Sequence, residues 1–165
     1  SDLSPVVSAT PPQEPPPSTP GQPVAAQVAY NEVGLTWPPS TSGLGISGYL
    51  IYRGPSPSAL TQISNTIMPV FLDNRAMPST TYYYAVAAYD INGVFSLQSA
   101  AGGATTPQEP APGAPAQLAA QAAAYNQVAL SWAASTGAAP RWGYAVYRGT
   151  SPTALSMRAV AKTTA

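Results

Sequence analysis

Cysteine and histidine are both missing from this 165-residue sequence. Their absence rules out a disulfide framework, a Cys/His metal site, a His general base and a His-dependent triad. Charge is scarce as well, with six basic and six acidic residues and a formal net charge of zero. Nucleic acid and anionic membrane attract proteins through a basic field, so neither is an expected partner. No apolar run is long enough to cross a bilayer, so no membrane insertion is expected in this segment. No cofactor is expected either. What the chain does have is apolar residues, at 45%, and 20 prolines concentrated in residues 5–23 and 107–115.

One stretch occurs twice. Gly48-Tyr49-Leu50-Ile51-Tyr52-Arg53-Gly54 returns as Gly143-Tyr144-Ala145-Val146-Tyr147-Arg148-Gly149, an offset of 95 residues. The same offset carries Tyr30-Asn31 onto Tyr125-Asn126, Val33 onto Val128, Leu35 onto Leu130 and Trp37 onto Trp132. It also carries Pro12-Gln13-Glu14-Pro15 onto Pro107-Gln108-Glu109-Pro110. A fixed period with the same apolar positions kept marks a tandem array. The expected organisation is a last strand of a preceding repeat in residues 1–10, a Pro-rich linker in 11–22 and a complete domain in 23–106. A second linker in 107–115 and the N-terminal part of a second domain in 116–165 follow. The linkers are expected to be extended polyproline II spacers.

Within the complete unit, residues 24–29 form a candidate first strand. Val33, Leu35 and Trp37 then alternate with Gly34 and Thr36, the period-2 signature of a half-buried strand, and Pro38-Pro39 ends it. Tyr49 and Ile51 are expected inward, with Leu50 and Tyr52 outward. Phe71-Leu72-Asp73 closes a further strand, with Asp73 placed to accept backbone N–H bonds in the turn after it. In Thr80–Tyr89, the residues Tyr82, Tyr84, Val86 and Ala88 are expected inward, and Tyr83, Ala85, Ala87 and Tyr89 outward. Asp90-Ile91-Asn92-Gly93 is a turn in which Gly93 can take positive φ, and Val94–Thr105 gives the last strand. Seven short strands with no convincing helix predict an all-β antiparallel sandwich.

The pattern Val33-x-Leu35-x-Trp37, Gly48-Tyr49-x-Ile51-Tyr52-Arg53, Phe71-x-Asp73, Pro78-x-Thr80-x-Tyr82-x-Tyr84-x-Val86-x-Ala88 and Asp90-x-x-Gly93-x-x-Ser96 closely resembles the fibronectin type III domain, in its bacterial form. The resemblance covers residues 20–107 and the available part of 115–165. It implies an immunoglobulin-like two-sheet Greek-key sandwich with Trp37 in the core; with the inward positions read from alternation, the expected core is Trp37, Tyr49, Tyr82, Tyr84 and, in the second copy, Trp132 and Tyr144. Tyr82 is the implied tyrosine-corner residue. It also implies a secreted or cell-surface setting beside catalytic and binding domains. The Arg-Gly-Asp turn of the adhesive animal members is absent, since that turn here is Asp90-Ile91-Asn92-Gly93-Val94.

Catalysis finds little support. The complete unit has only Glu32, Asp73 and Asp90 as carboxylates, and turn capping accounts for two of them. Asp90 with Asn92 resembles the start of a calcium loop, but the later acidic ligands are missing. For binding, outward Tyr52, Tyr83 and Tyr89, with Phe95 near them and Trp142 and Tyr147 from the second copy, form a candidate interaction surface. Such rings either stack on sugars and anchor protein partners, or pair across strands to stabilise an exposed sheet face. Arg53 and Arg148 are expected to stack on these tyrosines or to bond a loop carbonyl. The expected function is a non-catalytic spacer and interaction scaffold of a larger bacterial extracellular protein. Its partners would be neighbouring domains or other surface proteins. Two alternatives stand beside it: a carbohydrate-binding accessory module of a polysaccharide-degrading enzyme, and a subunit that self-assembles into an extracellular filament.

Overall fold

The computed structural model describes residues 4–5, 7–10, 12–137 and 143–161, with side chains described as far as Met157. Two compact units divide the chain, Ser1–Gln108 and Glu109–Ala165.

Every element described in the first unit is a strand: β1 (Val24–Ala29), β2 (Glu32–Thr36), β3 (Ile46–Gly54), β4 (Thr61–Thr66), β5 (Val70–Asp73), β6 (Thr81–Asp90) and β7 (Gly102–Thr105). They pair antiparallel in two sheets, ordered β1-β2-β5 and β4-β3-β6-β7. Alternation sets which side chains meet between the sheets. From one sheet come Val33 and Leu35, continued by Trp37; from the other come Tyr49, Ile51, Tyr84, Val86 and Ala88. Trp37 meets the Tyr49 ring edge-on, with centroids 5.4 Å apart. The Tyr49 hydroxyl then accepts the Ser40 N–H at 3.1 Å, which ties the loop after β2 to the core.

Turn chemistry follows the residue types. Asp90 Oδ1 accepts the N–H groups of Asn92 (2.9 Å) and Val94 (3.0 Å), and Gly93 takes φ 75°. The Tyr82 hydroxyl accepts the Met77 N–H at 3.2 Å, closing the corner before β6.

Several details differ from the sequence-based expectations. Ala85 and Ala87 are buried although they point away from the core. They lie opposite Tyr52 and Leu50 on the neighbouring strand, so large side chains cover small ones. The last strand is confined to Gly102–Thr105; before it, the chain is held to β6 by paired bonds, Ser96 N to Ala88 O with Ala88 N to Ser96 Oγ, and Ser99 N to Val86 O with Val86 N to Ser99 Oγ. Residues 4–5 and 7–10 form no strand and are exposed, in keeping with how little a lone strand gains without its sheet. Tyr82, expected in the core, is only half-buried, because its ring lies at the sandwich rim beneath Arg53.

The proline-rich stretch before β1 is more than a spacer. Pro17, Pro20 and Pro23 are buried. Ser18 donates its N–H to Thr41 O (2.8 Å), Thr41 returns its own to Ser18 Oγ (2.9 Å), and Gly21 donates to Pro38 O (3.1 Å). This clasp holds the incoming chain against the loop that follows β2.

In the second unit, β8 (Ala116–Ala124) pairs with β9 (Gln127–Ala133), and β10 (Tyr144–Gly149) pairs with β11 (Leu155–Ala161). Its internal geometry repeats the first unit at the 95-residue offset. The Trp132 and Tyr144 rings meet edge-on at 5.3 Å, and the Tyr144 hydroxyl accepts the Ser135 N–H at 2.9 Å. Gly113 donates to Thr136 O at 2.8 Å, the counterpart of the Ser18–Thr41 bond. Trp132 and Tyr144 are half-buried where Trp37 and Tyr49 are buried. In the first unit Trp37 and Tyr49 share one buried cluster with Tyr84, Val86 and Ala88 of β6, and Phe71 of β5 packs against it.

Candidate functional site

The outer face of the four-stranded sheet brings together most of the aromatic residues expected there. Tyr52 lies on β3, opposite Gln62 of β4 and Ala85 of β6. Tyr83 and Tyr89 lie on β6, and Phe95 forms an isolated bridge with Tyr89, their rings 5.9 Å apart. The three tyrosines are half-buried, while Phe95 is 55% exposed. Tyr147 is 57% exposed and belongs to the other unit. Trp142 lies outside the described residues.

Two of these rings sit at glycines. A Cβ on Gly103 would approach the Tyr83 ring to 3.1 Å, and one on Gly48 would run into the Tyr89 hydroxyl. Each tyrosine thus occupies the space that a cross-strand side chain would have taken, in register with its partner. Beside Tyr83 the surface opens into a groove of about 650 Å³ along the free edges of β1 and β7, lined by Ala25, Gln27, Thr81, Tyr83, Gly103, Ala104 and Thr105.

Arg53, Asp73 and Asp90 are committed to structure. Asp73, 3% exposed, accepts Arg53 Nη1 at 2.8 Å, the Tyr84 hydroxyl at 2.9 Å and the Arg75 N–H at 3.1 Å. Arg53 comes from the four-stranded sheet and Asp73 from the three-stranded one, so the ion pair ties the two together. The turn role expected of Asp73 is present, but its two side-chain partners went unforeseen; only the recurrence of Arg53 as Arg148 hinted that this arginine has a fixed place. Arg53 donates to the Arg75 carbonyl (3.2 Å), as expected of a loop carbonyl, yet it lies 4.8 Å over the Tyr82 ring, not on the outward tyrosines. Burial, and after it the hydrogen bond to Asp73, pushes the Tyr84 hydroxyl far above the ordinary tyrosine range. Asp90 is spent on its turn. Among the described residues, no group of three or more acidic, His or Cys side chains is placed to hold a metal ion.

No family model matches the sequence. Among curated proteins, exoglucanase B of Cellulomonas fimi is 38% identical over 157 aligned residues, covering 89% of this chain and 14% of the relative. Chitinase A1 of Niallia circulans is 34% identical over 139 residues, covering 81% of this chain and 19% of the relative. The chain therefore spans less than a fifth of either relative. Among solved structures, the C. elegans twitchin kinase region (Fn31-NL-kin-CRD-Ig26) superposes with a TM-score of 0.51 at 18% identity, over 56% of this chain and 17% of that one. At that identity the likeness bears on the fold alone.

Proposed function

We propose, on the premise that this chain has the fibronectin type III fold, that it is a non-catalytic accessory segment of a bacterial extracellular enzyme that degrades polysaccharide. The observation that carries this reading is the pair of relatives, an exoglucanase and a chitinase, each matching along most of this chain and each far longer than it. The domain's own chemistry agrees. Glycoside hydrolysis needs two carboxyl groups facing one sugar linkage. Here Asp73 and Asp90 are buried, and the hydrogen bonds they accept hold a salt bridge and a turn. Catalysis then belongs to a separate domain, and this segment sets the spacing between that domain and its neighbours. The second unit is read as the beginning of a second copy, joined through a Pro-rich connector that is itself part of the repeat.

The test is made on the natural polypeptide that contains this sequence. Its intact mass should far exceed 16.9 kDa, and it should hydrolyse cellulose or chitin. Removing residues 12–108 should lower its rate on the insoluble polymer while leaving the rate on a soluble oligosaccharide unchanged. A polypeptide of about this chain's mass, or one without hydrolytic activity, would overturn the reading and favour self-assembly.

A further inference from the structure

We propose that the groove along β1 and β7 is a binding site for an internal segment of a neutral polysaccharide, with Tyr83 as its stacking platform. The proposal rests on the accessory-segment reading for its choice of polymer, and on the groove's own chemistry for everything else.

Four features of the groove point to this ligand. The lining has no Lys, Arg, Asp or Glu, so nothing in it selects an anionic or cationic ligand. Its side chains are those that meet sugar hydroxyls: the Gln27 amide, the Thr81 and Thr105 hydroxyls and the phenol of Tyr83. Thr81 and Thr105 hold each other at 2.8 Å, which uses one of their two protons and leaves the other hydroxyl hydrogen and free lone pairs for a ligand. Neither the Gln27 amide nor the Tyr83 hydroxyl has a hydrogen-bond partner among the described residues.

The aromatic platform is built by an exchange of volume across β6 and β7. Gly103 is directly opposite Tyr83, and any side chain there would press on the ring at 3.1 Å. With glycine in place, the ring settles over β7, and Gly103 and Ala104 leave a smooth floor beside it. A half-exposed aromatic face next to a bare floor suits the flat, apolar face of a pyranose, while the flanking amide and hydroxyls suit its rim. The groove also lies open along two strand edges instead of closing around a small molecule. A polymer can therefore enter sideways without a free end.

The experiment titrates the full 165-residue chain with β-1,4-linked hexasaccharides of glucose and of N-acetylglucosamine, by calorimetry and by amide chemical shifts. Binding is expected with at least one of them, with shifts centred on Gln27, Thr81, Tyr83 and Gly103–Thr105. Tyr83→Ala should weaken it about tenfold, and Thr105→Val about fivefold. Gly103→Val puts a strand-favouring side chain into the floor and should weaken binding while the fold is kept, so the proposal does not hang on the Tyr83 variant folding. Ile67→Ala, exposed and outside the groove, should bind as the parent does. Absence of binding by both hexasaccharides, binding by the three groove variants equal to the parent's, or preference for a charged polysaccharide would each overturn the proposal. If hexasaccharide binding fails while the natural polypeptide still hydrolyses polysaccharide, the groove reading falls alone. If binding holds and the natural polypeptide has no hydrolytic activity, only the enzyme context falls.

Discussion

Replacing Asp73 by Ala is the sharpest test of how the two sheets are tied. The carboxylate is almost wholly buried and receives three hydrogen bonds, from Arg53, Tyr84 and the Arg75 backbone. Removing one partner of a buried ion pair costs about 3–5 kcal/mol, because the other charge loses its compensation. Arg53 is 23% exposed and keeps the Arg75 carbonyl and the Tyr82 face, which argues for the low end of that range. The Tyr84 hydroxyl, fully buried, then lacks an acceptor, and an unsatisfied buried donor costs about 1–3 kcal/mol. These terms overlap, so the expected loss is about 3–4 kcal/mol, equivalent to a fall of about 12–20 °C in the midpoint of a domain this size. Urea unfolding followed through the amide resonances of Val86 and Ala88 reads the first unit separately from the second. Asp73→Asn, which keeps an acceptor for Tyr84 and the backbone, should recover part of the loss. A double-mutant cycle with Arg53→Met should return a coupling of about 1.5–3 kcal/mol. An Asp73→Ala loss under about 1 kcal/mol, or a coupling near zero, would refute the claim that this pair holds the sheets.

High pH should weaken the first unit through Tyr84. In the unfolded chain it ionises near the ordinary tyrosine value of 10.0, whereas in the folded state burial and Asp73 hold its proton. The contribution is complete below that pH and drains away as pH rises towards the folded value, at about 1.4 kcal/mol per unit. Urea midpoints between pH 9 and 11 should show the slope, and Tyr84→Phe should flatten it. Gly54→Ala and Gly149→Ala would each drive a methyl into the carbonyl of the following turn, Ala59 and Ala154 respectively. Each should cost about 1–3 kcal/mol or more in its own unit, measured by amide exchange. Gly21→Val would strike the Pro38 ring and break the clasp. The Gly21 and Thr41 amides should then lose their protection while Val86 and Ala88 keep theirs.

The sandwich was readable because its core is written in alternation. Val33, Leu35 and Trp37 announce one inner face and Tyr49 and Ile51 the other, and the second copy marks which positions tolerate change. Alternation failed at Ala85 and Ala87, where pointing away from the core is not the same as being exposed: Tyr52 and Leu50 lie across them. The Arg53–Asp73 tie was hidden because its partners lie on different sheets, and a sequence shows each residue without its neighbour in space. The same limit hid the clasp. Prolines read as a spacer because they lack an N–H, yet their rings can be buried, and the bonds here come from Ser18 and Gly21 between them. Of the candidate surface, the tyrosines were legible, but the groove was not, because Gln27 and Thr105 line it with Tyr83 only when β1 and β7 run side by side.

The clasp has a mechanical meaning. Tension applied through the connector arrives first at Ser18, Gly21 and Thr41, before any ladder of the sandwich. Those few exposed bonds should part at lower force than the paired strands behind them. Their release frees Ser18–Pro23 as slack, about 3.1 Å for each proline-rich residue. A pull would thus be met by a small, reversible extension while the core between Trp37 and Tyr84 stays folded. Gly113 and Thr136 repeat the bond, so the second unit should yield at its own clasp in the same way, as one coil of a soft spring does.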